Sequence, residues 1–245
     1  MTNCARFAAR PLTVGGTPAQ AWIEYLAGAQ ELDLAECTEI VVVAAHPDDE
    51  TLGFGAAAAA LAARGVRVRV VVTSDGGASN PDATAQQRHQ LEQDRRAELH
   101  VATEVLGIDA PICLGLPDGE LSDHEARLAD RISELVHAET WCAATWRGDG
   151  HPDHEAVGRA AAVAAARAGA VLLEYPVWMW HWASPGDDAV PWHRLHAMPL
   201  TDNAVERKAV AARCYRTQYE APDGAPVLPP FVLERLLQVR EVVFC

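Results

Sequence analysis

From Glu39 onward the chain alternates short apolar, β-branched runs with longer helical segments, and this rhythm constrains the fold more than any other feature. Glu39-Ile40-Val41-Val42-Val43-Ala44-Ala45 is too continuously apolar for a half-exposed strand and reads as one covered on both faces. Residues 53–64 are Ala-rich and helical, with Gly65 as the stop. A second apolar strand spans 66–73, a long helix closed by Gly107 spans 85–106, and a third strand spans 111–114. A helix over about 122–137, a strand at 140–146, a helix at about 154–168 stopped by Gly169 and a strand at 171–174 continue the series. Strands and helices alternating at this spacing build right-handed βαβ units. The expected class is therefore α/β, a parallel sheet with helices on both faces.

The flanks lack this rhythm. Residues 1–38 read as an N-terminal arm: a Gly- and Pro-containing loop, then a short helix through Trp22, Tyr25 and Leu26, with Thr17 placed as its cap and Pro18 at its first position. Residues 176–245 hold Pro176, Pro185, Pro191 and Pro199, four of the seven tryptophans, and helical stretches near 202–214 and 230–238. At 245 residues the chain is expected to form one domain, with 39–175 as its core and 176–245 completing one edge or end of the sheet. Acidic residues outnumber basic ones 34 to 20, a formal charge of −14, which argues against nucleic acid as a partner. No apolar run approaches the roughly 18 residues that span a bilayer. The opening MTNCARFAARPL has no continuous apolar stretch of the kind a signal peptide needs. The six cysteines include no CxxC pair and read as reduced thiols of a cytoplasmic protein. A small-molecule partner is expected, and a homo-oligomer is compatible with all of this.

In open α/β sheets ligands bind beyond the carboxyl ends of the strands. The loop after the first strand is His46-Pro47-Asp48-Asp49-Glu50, one imidazole and three carboxylates in five positions. The loop after the 140–146 strand leads to His151-Pro152-Asp153-His154, which places both clusters on one rim. Two histidines and a carboxylate, with a fourth position open to water, suit catalytic zinc better than a structural site. Adjacent carboxylates also allow one to hold metal while the other takes a proton. The bland alternative is solvated loop charge and helix N-caps, where Asp is common. It accounts for either cluster alone much better than for both together.

Ala45-His46-Pro47-Asp48-Asp49-Glu50-Thr51-Leu52-Gly53 resembles the N-terminal signature of the PIG-L/LmbE-like zinc de-N-acetylases, and His151-Pro152-Asp153-His154 resembles their second signature, HxDH. Thr73-Ser74-Asp75-Gly76-Gly77 is similar to the family's T-x-G segment, with the first Gly one place late. Arg95, Glu98, Ala102 and Leu106-Gly107 fall on its R-x2-E-x3-A-x3-LG helix, and Leu114-Gly115-Leu116-Pro117-Asp118-Gly119 on its LGLPDG loop. The resemblance covers about residues 39–175. It implies a Rossmann-like deacetylase fold and hydrolysis of an N-acetyl group, with an N-acetylglucosamine-type glycoside as substrate and a related sugar or thiol conjugate as the alternative. It implies Zn²⁺ as cofactor, or Fe²⁺, held by His46, Asp49 and His154. Asp48 matches the general base, His151 the histidine that stabilises the oxyanion and protonates the leaving amine, and Asp153 the carboxylate that orients it. Arg95 and Asp118 match positions that hold substrate hydroxyls. Members that deacetylate glucosaminyl-inositol thiol precursors carry a tyrosine two residues before HxDH, where this chain has Asp149.

Other signals point elsewhere. Gly53-Phe54-Gly55-Ala56-Ala57-Ala58 fits G-x-G-x-x-A, with Asp75 about where a ribose-binding acid would stand, so a dinucleotide-binding oxidoreductase is the rival class. A metal-binding protein without catalysis is another. Against the first, His46 to Leu52 separate the strand from the first glycine, and helix–sheet packing explains the glycines as well. Trp178, Trp180 and Trp182 at period two would share one face of an extended segment, as a substrate wall or as packing. His181, His193 and His196 raise a second metal, although histidines beside aromatics are more often packing residues. His89, His100, His124 and His137 read as solvated helix faces.

Overall fold

The computed structural model describes residues 1–80, 82–220 and 226–245. The arm carries helices α1 (Asn3–Ala8) and α2 (Ala19–Leu26). The core then runs β1 (Glu39–Ala44), α3 (Asp49–Ala63), β2 (Arg67–Ser74), α4 (Ala85–Leu106), β3 (Ile112–Leu116), α5 (Glu125–Ser133), β4 (Trp141–Thr145), α6 (Pro152–Ala168) and β5 (Leu172–Tyr175). The C-terminal part adds α7 (Met179–Trp182), β6 (Leu195–Ala197), α8 (Asp202–Ala212), α9 (Arg216–Tyr219), α10 (Pro230–Gln238) and β7 (Val242–Phe244). No helix among the described residues is long and apolar enough to cross a membrane.

Period-two alternation in β1 explains why both faces are covered. Ile40, Val42 and Ala44 enter a core with Phe54, Leu61, Leu99 and Leu106, beneath α3 and α4. Val41, Val43 and Ala45 face the opposite way, into a core with Leu128, Ile132, Val157 and Ala161 of α5 and α6. Helix α3 is buried almost all round, from Asp49 to Leu61, because α8 lies against it on the side away from the sheet. Its run of alanines suits that position, since small side chains let a helix be sandwiched.

The strand order is β3-β2-β1-β4-β5-β7-β6. Strands β1 to β5 are parallel, as expected, whereas β7 runs antiparallel to β5 and β6 antiparallel to β7. The sheet is therefore mixed, and the C-terminal part contributes strands as well as the two expected helices. The chain winds outward from β1 through β2 to β3 and then returns to place β4 beside β1. The carboxyl ends of β1 and β4 thus flank the topological switch point, where open sheets form their crevice.

Local departures have local causes. Helix α3 starts at Asp49 and not near residue 53, with Asp49 and Glu50 in the first turn, where carboxylates complement the helix dipole. Thr17 does not cap α2; Pro18 is the N-cap residue, and the Thr17 hydroxyl donates to the Ala183 carbonyl. Gly53 and Gly55 lie within α3, and a Cβ on Gly53 would come 2.4 Å from Tyr175 Cδ2. The glycine admits Tyr175, and the carboxylates at the helix N-terminus would repel a pyrophosphate, so the dinucleotide reading fails.

Gly158 sets how closely α6 seats on β4. A Cβ there would meet the Thr145 carbonyl oxygen at 2.5 Å and the Arg147 nitrogen at 2.6 Å, both backbone atoms that cannot swing aside. Gly158→Ala should therefore destabilise the fold by about 1–3 kcal/mol despite alanine's better helix propensity. Thermal melting checks this; an unchanged or raised Tm would contradict so close a seat.

Candidate metal centre

The two rim loops meet because β1 and β4 are hydrogen-bonded neighbours and each loop feeds directly into a helix. His46 and Asp49 come from the β1–α3 loop, and His154 from the first turn of α6, where Thr145 Oγ1 donates to its carbonyl at 3.1 Å. Asp49 Oδ2 lies 3.4 Å from His46 Nδ1 and 3.1 Å from His154 Nε2. The other ring nitrogens are engaged elsewhere. His46 Nε2 is 2.9 Å from Asp118 Oδ1 and 3.2 Å from Asp153 Oδ2, and His154 Nδ1 is 2.8 Å from Asp149 Oδ2. Carboxylate partners hold protons on those nitrogens, so His46 Nδ1 and His154 Nε2, which face Asp49, are the atoms that would give up a proton to offer lone pairs to a metal.

This donor set offers two imidazoles and a carboxylate to a divalent cation, although among the described residues the groups whose ligand atoms all lie within 4.8 Å of one another are His46, His151 and His154, and His46, Asp118 and Asp153. His154 Nε2 is buried and, apart from its ion-pair contact with Asp49 Oδ2 at 3.1 Å, has no polar partner of hydrogen-bond geometry among the described residues, which leaves it open to a ligand. Charge points the same way. Burial opposes a charged His154, but Asp49 and Asp149 hold its pKa up at about 9. Burial likewise opposes a charged His46, and hydrogen bonds to Asp118, Asp153 and Asp49 raise it well above its ordinary value. Protons on two imidazoles balance a cluster of carboxylates, a task that one divalent cation can take over.

His151 also brings a ring nitrogen within 4.8 Å of His46 and His154. Its Nδ1 accepts the Asp153 backbone N–H at 3.3 Å, so the neutral ring carries its proton on Nε2 and presents a donor. Burial, then repulsion from His154 and His46, lowers its pKa to about 3, which keeps the ring neutral. A neutral Nε2–H suits an oxygen acceptor better than a metal.

Asp48 occupies a different niche. Among the described residues it is the only non-glycine with positive φ, at 122°. Such strain persists only where neighbours over-determine it. The Asp48 N–H donates to Glu50 Oε2 at 3.1 Å, its carbonyl accepts Leu52 N at 2.7 Å, and Arg95 Nη2 donates to the preceding Pro47 carbonyl at 2.7 Å. Glu50 is itself held by Thr51 and Tyr215 hydroxyls. Burial lifts the Asp48 carboxyl to about 8 against the pull of Arg95, whose Nη2 is 3.5 Å away.

Asp153 is placed differently from expectation, and Asp118 and Arg95 have partners beyond the cavity they line. The Asp153 carboxylate does not orient His151: it accepts Gly119 N at 2.8 Å and Leu121 N at 3.2 Å and faces His46, and only its backbone reaches His151. The amides of the β3–α5 loop outcompete the imidazole for it. Asp118 lines the cavity but also pins His46 and accepts Ala78 N at 2.8 Å. Arg95 lines the cavity while 3% exposed; its Nη1 donates to the Gly76 carbonyl at 3.1 Å, and its buried Nε has no partner among the described residues. A Cβ on Gly76, which has φ 70°, would come 2.0 Å from Arg95 Nη1, a physical reason for glycine one place late in the T-x-G segment.

The tryptophan segment is not extended: α7 is a short helix, so the period-two face is lost. Trp178 lines the cavity, Trp180 packs edge-on against Trp22, and Trp182 Nε1 donates to the Asp149 carbonyl at 2.7 Å. His181, His193 and His196 do not come together as a metal-sized group among the described residues; His181 instead contacts the Arg10 carbonyl and Arg235. His89, His100 and His137 are exposed and His124 is half-buried. All six cysteines are free thiols.

Sequence reasoning gave Asp149 no role beyond replacing a tyrosine. It is fully buried, does not line the cavity, and accepts Val177 N, Trp178 N and Met179 N at 2.9–3.0 Å besides holding His154. The only local signal was an acid between two glycines at a strand end.

The family model PIG-L, described as GlcNAc-PI de-N-acetylase, matches residues 41–165. A 1D-myo-inositol 2-acetamido-2-deoxy-α-D-glucopyranoside deacetylase from Mycobacterium sp. (strain JLS) is 30% identical, with 76% of each chain covered. Among solved structures, the N,N'-diacetylchitobiose deacetylase from Pyrococcus horikoshii superimposes with a TM-score of 0.61 at 20% identity, over 82% of this chain and 78% of that one. The zinc-inhibited form of teicoplanin deacetylase Orf2 does so with a TM-score of 0.64 at 18% identity, over 84% of this chain and 97% of that one. At these identities the structural likenesses speak for the fold.

Proposed function

The chain belongs to the PIG-L family, and from that premise we propose that it is a zinc-dependent hydrolase removing the N-acetyl group of an N-acetylglucosamine-type glycoside, acting as one catalytic domain over residues 1–245. The observation that carries this reading is the convergence of His46 Nδ1, Asp49 Oδ2 and His154 Nε2, with a strained, buried carboxyl at Asp48 beside them. His46, Asp49 and His154 would hold the metal; Zn²⁺, or Fe²⁺ in its place, supplies the positive charge that polarises an acetamide carbonyl and acidifies water.

The protein's own groups do the rest. Asp48 takes a proton from the attacking water as its oxygen bonds to the carbonyl carbon. A carboxyl lifted by burial is a stronger base than an exposed one, and Glu50 and Arg95 fix its position. His151 directs Nε2–H at the oxygen on which negative charge develops, and when the C–N bond breaks beside it the nitrogen receives the proton that Asp48 took from water, which returns Asp48 to its carboxylate. Asp153 positions His151 through its backbone N–H and His46 through its carboxylate. Arg95 Nε and the cavity edge of Asp118 are the groups available to substrate hydroxyls. The products are acetate and a primary amine.

The direct experiment supplies zinc-loaded protein with an N-acetylglucosaminide and measures acetate and primary amine. Equimolar release, abolished by chelation and restored by zinc, is expected; no amine from fully loaded protein would overturn the reading.

Loading should also be visible as proton release. With the His154 pKa at about 9 and that of His46 well raised, both rings are protonated at pH 7.5 and must lose a proton to bind metal. Both folded-state pKa values are raised, so zinc affinity should climb with pH through the neutral range and level off only above about 9. Calorimetric titration with zinc in buffers of different ionisation enthalpy should give about two protons released per ion. Release near zero would contradict the two-imidazole site.

A further inference from the structure

The cavity beside the candidate ligands has a second kind of lining that the chemistry does not use. Its volume is about 250 Å³, small against the ~300–1,000 Å³ of typical ligand pockets, so a substrate larger than one sugar ring must extend through the mouth. Away from the candidate ligands the lining includes Leu52, Val177, Trp178, Val227 and Leu228, with Gln218 as a buried neutral amide. Trp178 is backed by Phe7 at 5.1 Å between ring centroids, which fixes its plane. Of the apolar lining residues Val227 is the most exposed, at 38%, whereas Leu228 is buried.

Charge excludes one class of substrate. The lining carries Asp48, Asp49 and Asp118, and its one Lys or Arg among the described residues is Arg95, whose Nη atoms are turned to the Gly76 and Pro47 carbonyls. Residues 81 and 221–225 contain neither Lys nor Arg, and the chain as a whole carries −14. A phosphate on the anomeric carbon would meet three carboxylates, and the one guanidinium lining the cavity has both Nη atoms already engaged, leaving only its Nε. A bare polyol would lay hydroxyls against tryptophan, valine and leucine.

We propose that the group on the anomeric carbon of the substrate is uncharged and apolar, an aryl or alkyl aglycone packed against Trp178, Val227 and Leu228, and neither a phosphoinositide nor a free polyol. The proposal rests on the deacetylase reading and narrows it.

The test compares kcat/KM of zinc-loaded protein for the phenyl glycoside, the myo-inositol glycoside and the 1-phosphate of N-acetylglucosamine. The phenyl glycoside should lead by about tenfold or more, mainly through KM. Val227→Lys, at an exposed position where folding is safe, should cut the ratio of phenyl to phosphate substrate about tenfold; Trp178→Ala should raise KM for the phenyl glycoside. Equal kcat/KM for the three, or a Val227→Lys ratio that does not move, would overturn the proposal while leaving the deacetylase reading in place. Binding of phenyl glucoside, which has no acetamide, separates the two. Quenching of tryptophan fluorescence by phenyl glucoside but not by glucose, weakened in Val227→Lys, would support the aglycone site even if no glycoside were deacetylated. Phenyl glucoside binding no better than glucose would count against it.

Discussion

Asp49→Ala protein should lose both zinc and activity, while Asp48→Ala protein should keep near-stoichiometric zinc and turn over about 10²–10⁴-fold more slowly. The two residues are adjacent, yet their surroundings assign them different work. Asp49 Oδ2 stands between two imidazole nitrogens, at 3.4 and 3.1 Å, and without it a cation has two neutral ligands. Asp48 contacts Arg95 and lines the cavity, so its loss removes a base and leaves the donor set whole. Alanine at φ 122° is strained, which makes Asp48→Asn the sharper variant. Asparagine accepts positive φ more readily and keeps the shape, but has no basicity. His151→Ala should behave like Asp48→Ala, because its Nε2–H is assigned to the substrate. Elemental analysis beside an amine-release assay reads all four variants. Zinc-free Asp48→Asn protein, or zinc-bound and active Asp49→Ala protein, would mean that the roles are reversed.

Asp149→Asn should weaken zinc binding by about 10–100-fold and also destabilise the fold, although no atom of Asp149 lines the cavity. Oδ2 of Asp149 accepts from Trp178 N at 2.9 Å and pairs with His154 Nδ1 at 2.8 Å, while Oδ1 accepts Val177 N at 2.9 Å and Met179 N at 3.0 Å. An amide has one accepting atom, so its NH₂ must face two donors. His154 can escape only by moving its proton from Nδ1 to Nε2, which blocks the lone pair offered to metal. The backbone amides have no such escape, and a buried unsatisfied donor costs about 1–3 kcal/mol. Asp149→Ala leaves three amides without an acceptor and should be the less stable of the two variants. Zinc titration and thermal melting together test this. Wild-type zinc affinity in Asp149→Asn would show that the His154 tautomer is not set here.

What the sequence made legible is local, and what it hid depends on distant partners. Strands β1 to β5 announce themselves because covering both faces demands continuous apolar runs such as Ile40 to Ala45. Strands β6 and β7 have three residues each, and what makes them strands is pairing: Phe244 with Glu174 and Leu195, separations that no local pattern records. The tryptophans mislead for a related reason. Alternation at 178, 180 and 182 fits an extended face, but Asp149 gathers the Val177, Trp178 and Met179 amides onto one carboxylate and starts a helical turn instead. The candidate ligands stand out because each loop carries its acids and imidazoles within a few residues of a strand end. Their partners do not. The Gly119 and Leu121 amides that hold Asp153 lie more than 30 residues from it, and Tyr215, which holds Glu50, lies 165 away.

The most direct test of the central claim is anomalous diffraction at the zinc edge from crystals of the zinc-loaded protein. One peak is expected, bonded to His46 Nδ1, Asp49 Oδ2 and His154 Nε2 at about 2.0–2.2 Å, with the Asp48 carboxylate near but unbound. Zinc elsewhere, or coordinated with any of those three turned away, would contradict the account.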